Sequence, residues 1–170
     1  MHEITGDLFE SEQADAICIL TNGFVNAQGS NTMGKGCALD AKQRWPGIQL
    51  AIGNHVRNGG NHCWILTVDG SDEYKGSVCL VTPKPISTIH LVPYHILTFP
   101  TKHHWSEPSD LKLIKSSCIQ LMTCVRARGW KSVVLPRPGC GAGGLSWKDE
   151  VRPLLTNILD QRIHVIDFAR

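Results

Sequence analysis

Lys102 stands in the stretch FPTKHHW, directly after the apolar run His95–Phe99. A lysine at the end of a buried strand can act as a cation beside an anion site or, desolvated, as a nucleophile. Its ordinary use is as a solvated surface charge. Two other stretches also follow apolar runs: NGFVNAQGSNTMGKG after Ala16–Thr21, and PRPGCGAGG after Ser132–Leu135. Each leads into a helical pattern. Glycine backbone can turn its N–H groups onto a ligand with no side chain in the way, and a helix N-terminus favours an anion. Taken together the two loops read as a cradle for a diphosphate; taken singly, either is an ordinary tight turn. Asp7, in TGDLF after an apparent first strand, can accept a hydrogen bond from an exocyclic amine such as that of adenine, or cap a turn.

Several chemistries fit poorly. GCGAGG lacks the Lys-Ser/Thr that completes a triphosphate-binding loop. It also comes too late in the chain for the dinucleotide fingerprint of an opening βαβ unit. His103 and His104 are adjacent, so on a strand they face opposite sides. His55 and His62 are the other candidates for a metal, but no Cys/His spacing matches a zinc site, and no metal is expected.

These residues need a scaffold that brings strand ends together. Short apolar runs at Ala16–Thr21, Cys63–Val68, Val78–Thr82, His95–Phe99, Ser132–Pro136 and His164–Phe168 read as buried strands. The turn-rich DGSDEYKGS between the second and third predicts a hairpin. Leu111, Ile114, Cys118, Leu121 and Val125 share one helical face, with Ser106 or Ser109 as the cap and Arg126, Arg128 and Gly129 at the end. GCALDAKQRW predicts a helix stopped by Pro46. A third starts near Ser146 and is bent or divided by Pro153. The pattern is α/β, a mixed sheet with helices on its faces, whose ligands sit beyond the carboxyl ends of the strands.

The 170 residues suit one domain over 1–170. Seventeen basic and 15 acidic residues leave a net charge of +2, too balanced to argue for nucleic acid from composition alone. Seven cysteines without a CxxC pair, several inside apolar runs, read as reduced core residues of a cytoplasmic protein. The start MHEITGDLFE lacks a signal-peptide pattern, and no apolar run approaches the roughly 20 residues that span a bilayer.

TGDLF, TNGFV…NTMGKGCALDAKQRWPG, FPTKHHWSEPSDL and LPRPGCGAGGLSW, in that order, resemble the macrodomains. The branch is the one resembling terminal ADP-ribose glycohydrolases and the antitoxin macrodomains that remove ADP-ribose from DNA thymidine, of bacterial or phage type. The resemblance covers nearly the whole chain. It implies a three-layer α/β/α fold, ADP-ribose as ligand with no cofactor, and ADP-ribosylated DNA or protein as partner, with no membrane role. By the same resemblance Asp7, followed by Leu8, binds the adenine amine. Asn22 or Asn31 lies beside the distal ribose, Asn22 being preferred. Met33, Gly34, Lys35 and Gly36 form a first ligand loop. Pro138, Gly139, Cys140, Gly141, Ala142, Gly143, Gly144 and Leu145 form the second, and Phe168 packs near the adenosine. Lys102 matches a lysine that attacks C1″ of the distal ribose. Protein-directed members carry an Asp in the second loop, where this chain has Ala142 or Gly143, as in the DNA-directed members. A non-catalytic ADP-ribose reader and an ADP-ribose 1″-phosphate phosphatase are the competing expectations.

Overall fold

Apolar residues fill consecutive positions in the strands because both faces of the sheet are covered. In β2 (Ala16–Asn22), Ala16 and Cys18 join one buried cluster while Ile17 and Ile19 join the other. The computed structural model describes residues 1–11, 13–68, 79–80 and 94–168. The remaining strands are β1 (His2–Gly6), β3 (Ile65–Val68), β4 (Cys79–Leu80), β5 (Tyr94–Lys102), β6 (Val133–Pro136) and β7 (Ile163–Phe168). The helices are α1 (Gly36–Arg44), α2 (Ile48–Gly59), α3 (Leu111–Arg128) and α4 (Arg152–Thr156).

The sheet order is β1-β7-β6-β2-β5-β3-β4. The pairs from β1 through to β5 are parallel, and β3 is antiparallel to β5. β3 and β4 lie side by side but run parallel, Leu66 opposite Cys79, so the expected hairpin between them is wrong. A two-strand hairpin requires antiparallel neighbours. The turn sequence proposed for it, and most of the Val78–Thr82 run, lie outside the described residues. One face of the sheet packs under α1 and α2 through Cys37, Ala38, Ala41, Ile48 and Ile52. The other packs under α3 and the C-terminal helix through Ile114, Cys118, Leu121, Val125, Val151 and Leu155. This is the three-layer α/β/α arrangement with a mixed sheet.

The predicted stripe of α3 is the one that is buried. Its cap differs from expectation: Asp110, not Ser106 or Ser109, accepts the Lys112 N–H at 2.8 Å. Gly129 ends the helix in the left-handed conformation. Pro153 does divide its helix: a π-helical turn at Trp147–Val151, capped by Ser146, precedes α4, and the proline sits in the first turn of α4, where its missing N–H costs nothing. The sequence reading missed α2. Its buried Ile48, Ala51 and Ile52 have helical spacing, but glycines at 53 and 59 dilute the pattern. Gly53 is required there, since a Cβ would run into the backbone of Gly29 and Asn31. That contact sets α2 against the loop between β2 and α1.

An ionic cluster ties the ends of the chain to the joint after β6. Arg137 donates to Asp167 of β7 at 2.6 Å and to Glu3 of β1 at 3.4 Å, and its guanidinium lies 4.8 Å from the centre of the Trp147 ring. Glu3 also accepts from Arg152 at 2.5 Å and from the Trp147 indole N–H at 3.1 Å. The Arg152 hydrogen bond first, then Trp147 and Arg137, hold the Glu3 carboxyl below the usual carboxylate range. Glu3→Gln should therefore lower stability near neutral pH by about 0.5–1 kcal/mol, or about 1–4 °C in Tm, since the cluster is partly exposed and screened. A carboxyl whose folded pKa is depressed contributes fully above its unfolded value and loses that contribution as the pH falls through the folded one. Thermal melts at pH 7 and pH 4 test this: the gap between wild type and variant should narrow at the lower pH, whereas a constant gap would assign the effect to packing.

Candidate functional site

The carboxyl ends of β1, β2, β5, β6 and β7 lie along one rim, because these five strands are parallel. Gly6, Asn22, Lys102, Pro136 and Phe168 end them. The first loop (residues 23–35) and the second (residues 137–146) therefore meet above the same edge of the sheet.

Lys102 is the last residue of β5. A bulge between Thr21 and Asn22 sets Asn22 opposite it. Its carbonyl accepts from the Gly23 N–H at 3.1 Å and from Asn61 Nδ2 at 2.9 Å, which fixes its backbone. Its Nζ donates to the Ala142 carbonyl at 2.9 Å. The amine thus already touches the second loop. Below it, buried Ser117 of α3 donates its hydroxyl to the Pro100 carbonyl at 2.8 Å and holds the strand end to the helix.

The second loop uses its glycines in different ways. Gly139 and Gly144 have φ of 77° and 78°, which other residues rarely adopt. Gly143 is packed: a Cβ there would overlap the Ser109 hydroxyl and lie 2.5 Å from the Gly139 carbonyl. Ser109 in turn donates its N–H to the Gly143 carbonyl at 3.0 Å. Ser109, proposed as a helix cap, instead clamps the loop. Around Gly141 nothing lies within 4 Å of a built Cβ, so it faces open space. Cys140 is half-buried with its Sγ 3.5 Å from the Pro138 carbonyl, and burial pushes its thiol up to about 11, which keeps it protonated at neutral pH. Leu145 packs partly buried against the core.

In the first loop, Asn22 Nδ2 donates to the Thr32 carbonyl at 2.8 Å and its Oδ1 accepts from the Phe24 N–H at 3.0 Å. Asn31 Nδ2 donates to the carbonyls of Asn22 and Phe24, at 2.7 and 3.0 Å. Its Oδ1 has no protein partner among the described residues. Asn31 borders a small cavity of about 250 Å³ with Met33, Gly34, Lys42 and Gln49. Met33 is itself buried in the core. Gly34, Lys35 and Gly36 are exposed, and Lys35 precedes α1 without capping it by its side chain, so the first N–H groups of α1 stay open to an anion.

Asp7 accepts the Phe9 N–H at 2.8 Å and so caps the short 3-10 turn Leu8–Glu10. Its second oxygen takes no protein donor among the described residues. The Leu8 side chain is wholly buried, which leaves only its backbone for a ligand. Asp7 and Phe168 line a cleft of about 710 Å³ with Gly6, Phe9, Glu10, Asp40, Gln43 and Arg44. Three carboxylates against one guanidinium, itself 4.5 Å above the Phe9 ring, make this end suited to amine donors rather than phosphate. Phosphate is better served by the open glycine backbone of the two loops. The sequence reading missed Asn61, Arg137 and the Phe9–Arg44 pair, and gave Ser109 a different role. Asn61, Ser109 and Arg137 stand at irregular joints, and Phe9 and Arg44 meet from two separate elements, where periodicity gives no signal. His55 stacks on Trp64 at 4.9 Å between ring centres and His62 meets the same ring at 6.4 Å. Among the described residues no three His, Cys, Asp or Glu side chains converge, Cys18, Cys37, Cys63, Cys118, Cys124 and Cys140 carry free thiols, and no helix is long and apolar enough to cross a membrane.

The family profile described as Macro domain matches residues 70–153. The structure superposes on the macrodomain of Mycobacterium tuberculosis DarG with a TM-score of 0.71 at 26% identity, covering 99% of this chain and 97% of that one. The chain belongs to the macrodomain family. Thermosipho africanus DarTG, solved in complex with ADP-ribose, shares the fold with a TM-score of 0.72 at 22% identity over 99% of this macrodomain and 42% of that chain. In sequence, the macrodomain is 32% identical over 152 residues to the DNA ADP-ribosyl glycohydrolase of Mycobacterium tuberculosis, covering 89% of this chain. It spans 37% of the length of that relative.

The glycine assignments make opposite demands. Gly143→Ala should cost about 1–3 kcal/mol, because the colliding atoms include fixed backbone. Gly141→Val should leave Tm within about 2 °C. Parallel thermal melts check both, and equal losses would refute the division between packed and open glycines.

Proposed function

We propose that this macrodomain binds ADP-ribose and releases it from an ADP-ribosylated macromolecule, DNA thymidine being the preferred substrate, with Lys102 as nucleophile. The observation that carries the reading is the Lys102 Nζ, 2.9 Å from the Ala142 carbonyl, at the joint where both glycine-bearing loops meet. The relatives named DNA ADP-ribosyl glycohydrolase support the substrate class.

Adenine sits in the cleft lined by Asp7 and Phe168, its amine donating to the free Asp7 oxygen. The diphosphate lies on the backbone of the two loops. The distal ribose then reaches Lys102. The free amine attacks C1″; the new C–N bond forms as the bond from C1″ to the modified base breaks. The base leaves with the electron pair and takes up a proton, while the lysine nitrogen loses one. Ring opening of the adduct gives a Schiff base, and addition of water releases ADP-ribose and restores the amine. No loop carboxylate assists: positions 142 and 143 are Ala and Gly. That absence favours a second reading, a module that binds ADP-ribose without turning it over.

Calorimetry should show one ADP-ribose site of roughly micromolar affinity, near −8 kcal/mol, with AMP weaker. Gly141→Val should weaken it by filling the open face of the loop. Asp7→Asn keeps the turn cap, so it should preserve Tm yet cost on the order of 1–3 kcal/mol of binding, because an amide N–H₂ then opposes the adenine amine. No detectable ADP-ribose binding would end the proposal.

Lys102→Ala should slow release of ADP-ribose from ADP-ribosylated DNA by at least about 100-fold and change ADP-ribose affinity far less, since a nucleophile lowers the barrier rather than holding the ligand. Borohydride should trap a substrate adduct on wild type only. A variant with normal turnover would refute the lysine mechanism, and a wild type that binds ADP-ribose but releases it from nothing would leave the reader.

A further inference from the structure

Three residues beyond Lys102, the Trp105 side chain is 52% exposed. It belongs to a row of rings. His104 lies 5.4 Å from it between centres at 35°, and Phe24 of the first loop meets His104 edge-on at 4.6 Å and 78°. The row is fixed from both sides. The Phe24 N–H donates to Asn22 Oδ1 at 3.0 Å. His104 Nδ1 is 2.7 Å from the Ser106 hydroxyl, its N–H donates to the Glu107 carboxylate at 3.2 Å, and the Glu107 N–H returns to the His104 carbonyl at 3.2 Å. His103, pointing elsewhere, pairs with Asp110 at 3.2 Å. Trp105 is thus a solvent-facing aromatic plane beside a held His104, on the segment that follows Lys102. A cation of α2 lies against the loop that carries Phe24: Arg57 donates to the Asn26 carbonyl at 3.3 Å and faces no carboxylate among the described residues.

We propose that Phe24, His104 and Trp105 form a stacking platform for an unpaired nucleobase next to the ADP-ribosylated nucleotide of a single-stranded nucleic acid. The position of that base rests on the function proposed above, in which the modified nucleotide is delivered to Lys102. Every base has a π-face, so a bare indole plane accepts whichever base flanks the modification. A duplex keeps those faces stacked on its own neighbours, so the platform selects for the single strand. Arg57 of α2, bonded to that loop through the Asn26 carbonyl, offers a cation to the backbone charge, which fits a polyanion. A polypeptide substrate offers a flat aromatic partner only where its sequence happens to supply one, whereas a nucleic acid offers one at every step.

The test uses the Lys102→Ala protein, so that substrate persists, with and without Trp105→Ala. The ligands are a short single-stranded oligonucleotide ADP-ribosylated on one thymidine, the same strand annealed to its complement, an ADP-ribosylated polypeptide, and free ADP-ribose. The modified single strand should bind at least about 10-fold tighter than ADP-ribose, the range expected of base–aromatic stacking. Trp105→Ala should abolish that margin and leave ADP-ribose affinity within about twofold, while Trp105→Tyr restores most of it. Equal near-ultraviolet circular dichroism would show that the exposed substitution leaves the fold intact. A margin that survives Trp105→Ala overturns the platform, as does a loss shared equally by free ADP-ribose. A Trp105-dependent margin seen with the polypeptide instead overturns the assignment to nucleic acid. A separate arm needs no ADP-ribose: unmodified oligothymidylate should quench tryptophan fluorescence in wild type and much less in Trp105→Tyr. If ADP-ribose fails to bind, the function proposed above fails, and this quenching alone decides the platform; its absence removes the platform too.

Discussion

Parallel pairing of β2 with β5 is the constraint on which the site depends. The two strands run in register from Ala16 opposite His95 to Phe99 opposite Leu20, and the bulge after Thr21 then brings Asn22 against Lys102. The pairing is held by side chains on both faces: Cys18, Leu97 and Phe99 under α3, Ile17, Ile19 and Ile96 under α1 and α2. A slip of one residue would exchange these faces and turn Lys102 away from the second loop. Close packing far below the rim therefore determines where a single amine stands.

Under the proposed function the loops serve two tasks that compete for the same backbone. A ligand needs N–H groups open to solvent, while the fold needs each buried loop atom paired or packed. The second loop divides the work along its length. Gly139 and Gly143 face inward, against Leu145, Ile114 and Ser109, and Gly141 faces outward. The first loop divides it by residue type: asparagines at 22 and 31 satisfy the carbonyls of the loop from inside, and glycines at 34 and 36 leave the outside bare.

Much of this was readable from the sequence because it follows from period and composition. The runs at Ala16, His95, Ser132 and His164 are buried on both faces, which leaves an unbroken apolar string, and each was placed to within a few residues. The stripe of α3 repeats at helical spacing and was placed likewise. Lys102 and the two loops were found because glycine and a cation at strand ends are chemically unusual. What stayed hidden depends on pairings between distant residues. Ser109 looked like a cap because serine commonly is one; only the fold puts it against Gly143. The hairpin was inferred from turn residues, which report a change of direction and not the direction of the next strand. Asp7 was posed as either a cap or a ligand acceptor, but a carboxylate has two oxygens, and the cap occupies one.

The Ser109–Gly143 contact also bears on how such a site could change its substrate by inheritance. Within this fold, position 143 has no room for even a methyl group while Ser109 keeps its hydroxyl there. A carboxylate at 143, of the kind that protein-directed members carry in this loop, is therefore not one substitution away. Residue 109 would have to lose its hydroxyl and the Gly139 backbone would have to move, since both stand against a Cβ at 143. Each change would disturb the packing of the loop before any new acid could benefit from it. Residue 142 is exposed, but its carbonyl already receives the Lys102 amine. An acid at 143 is therefore reached only through a less well packed loop, and one at 142 stands beside the carbonyl that holds the lysine, whereas the open face at Gly141 carries no such barrier.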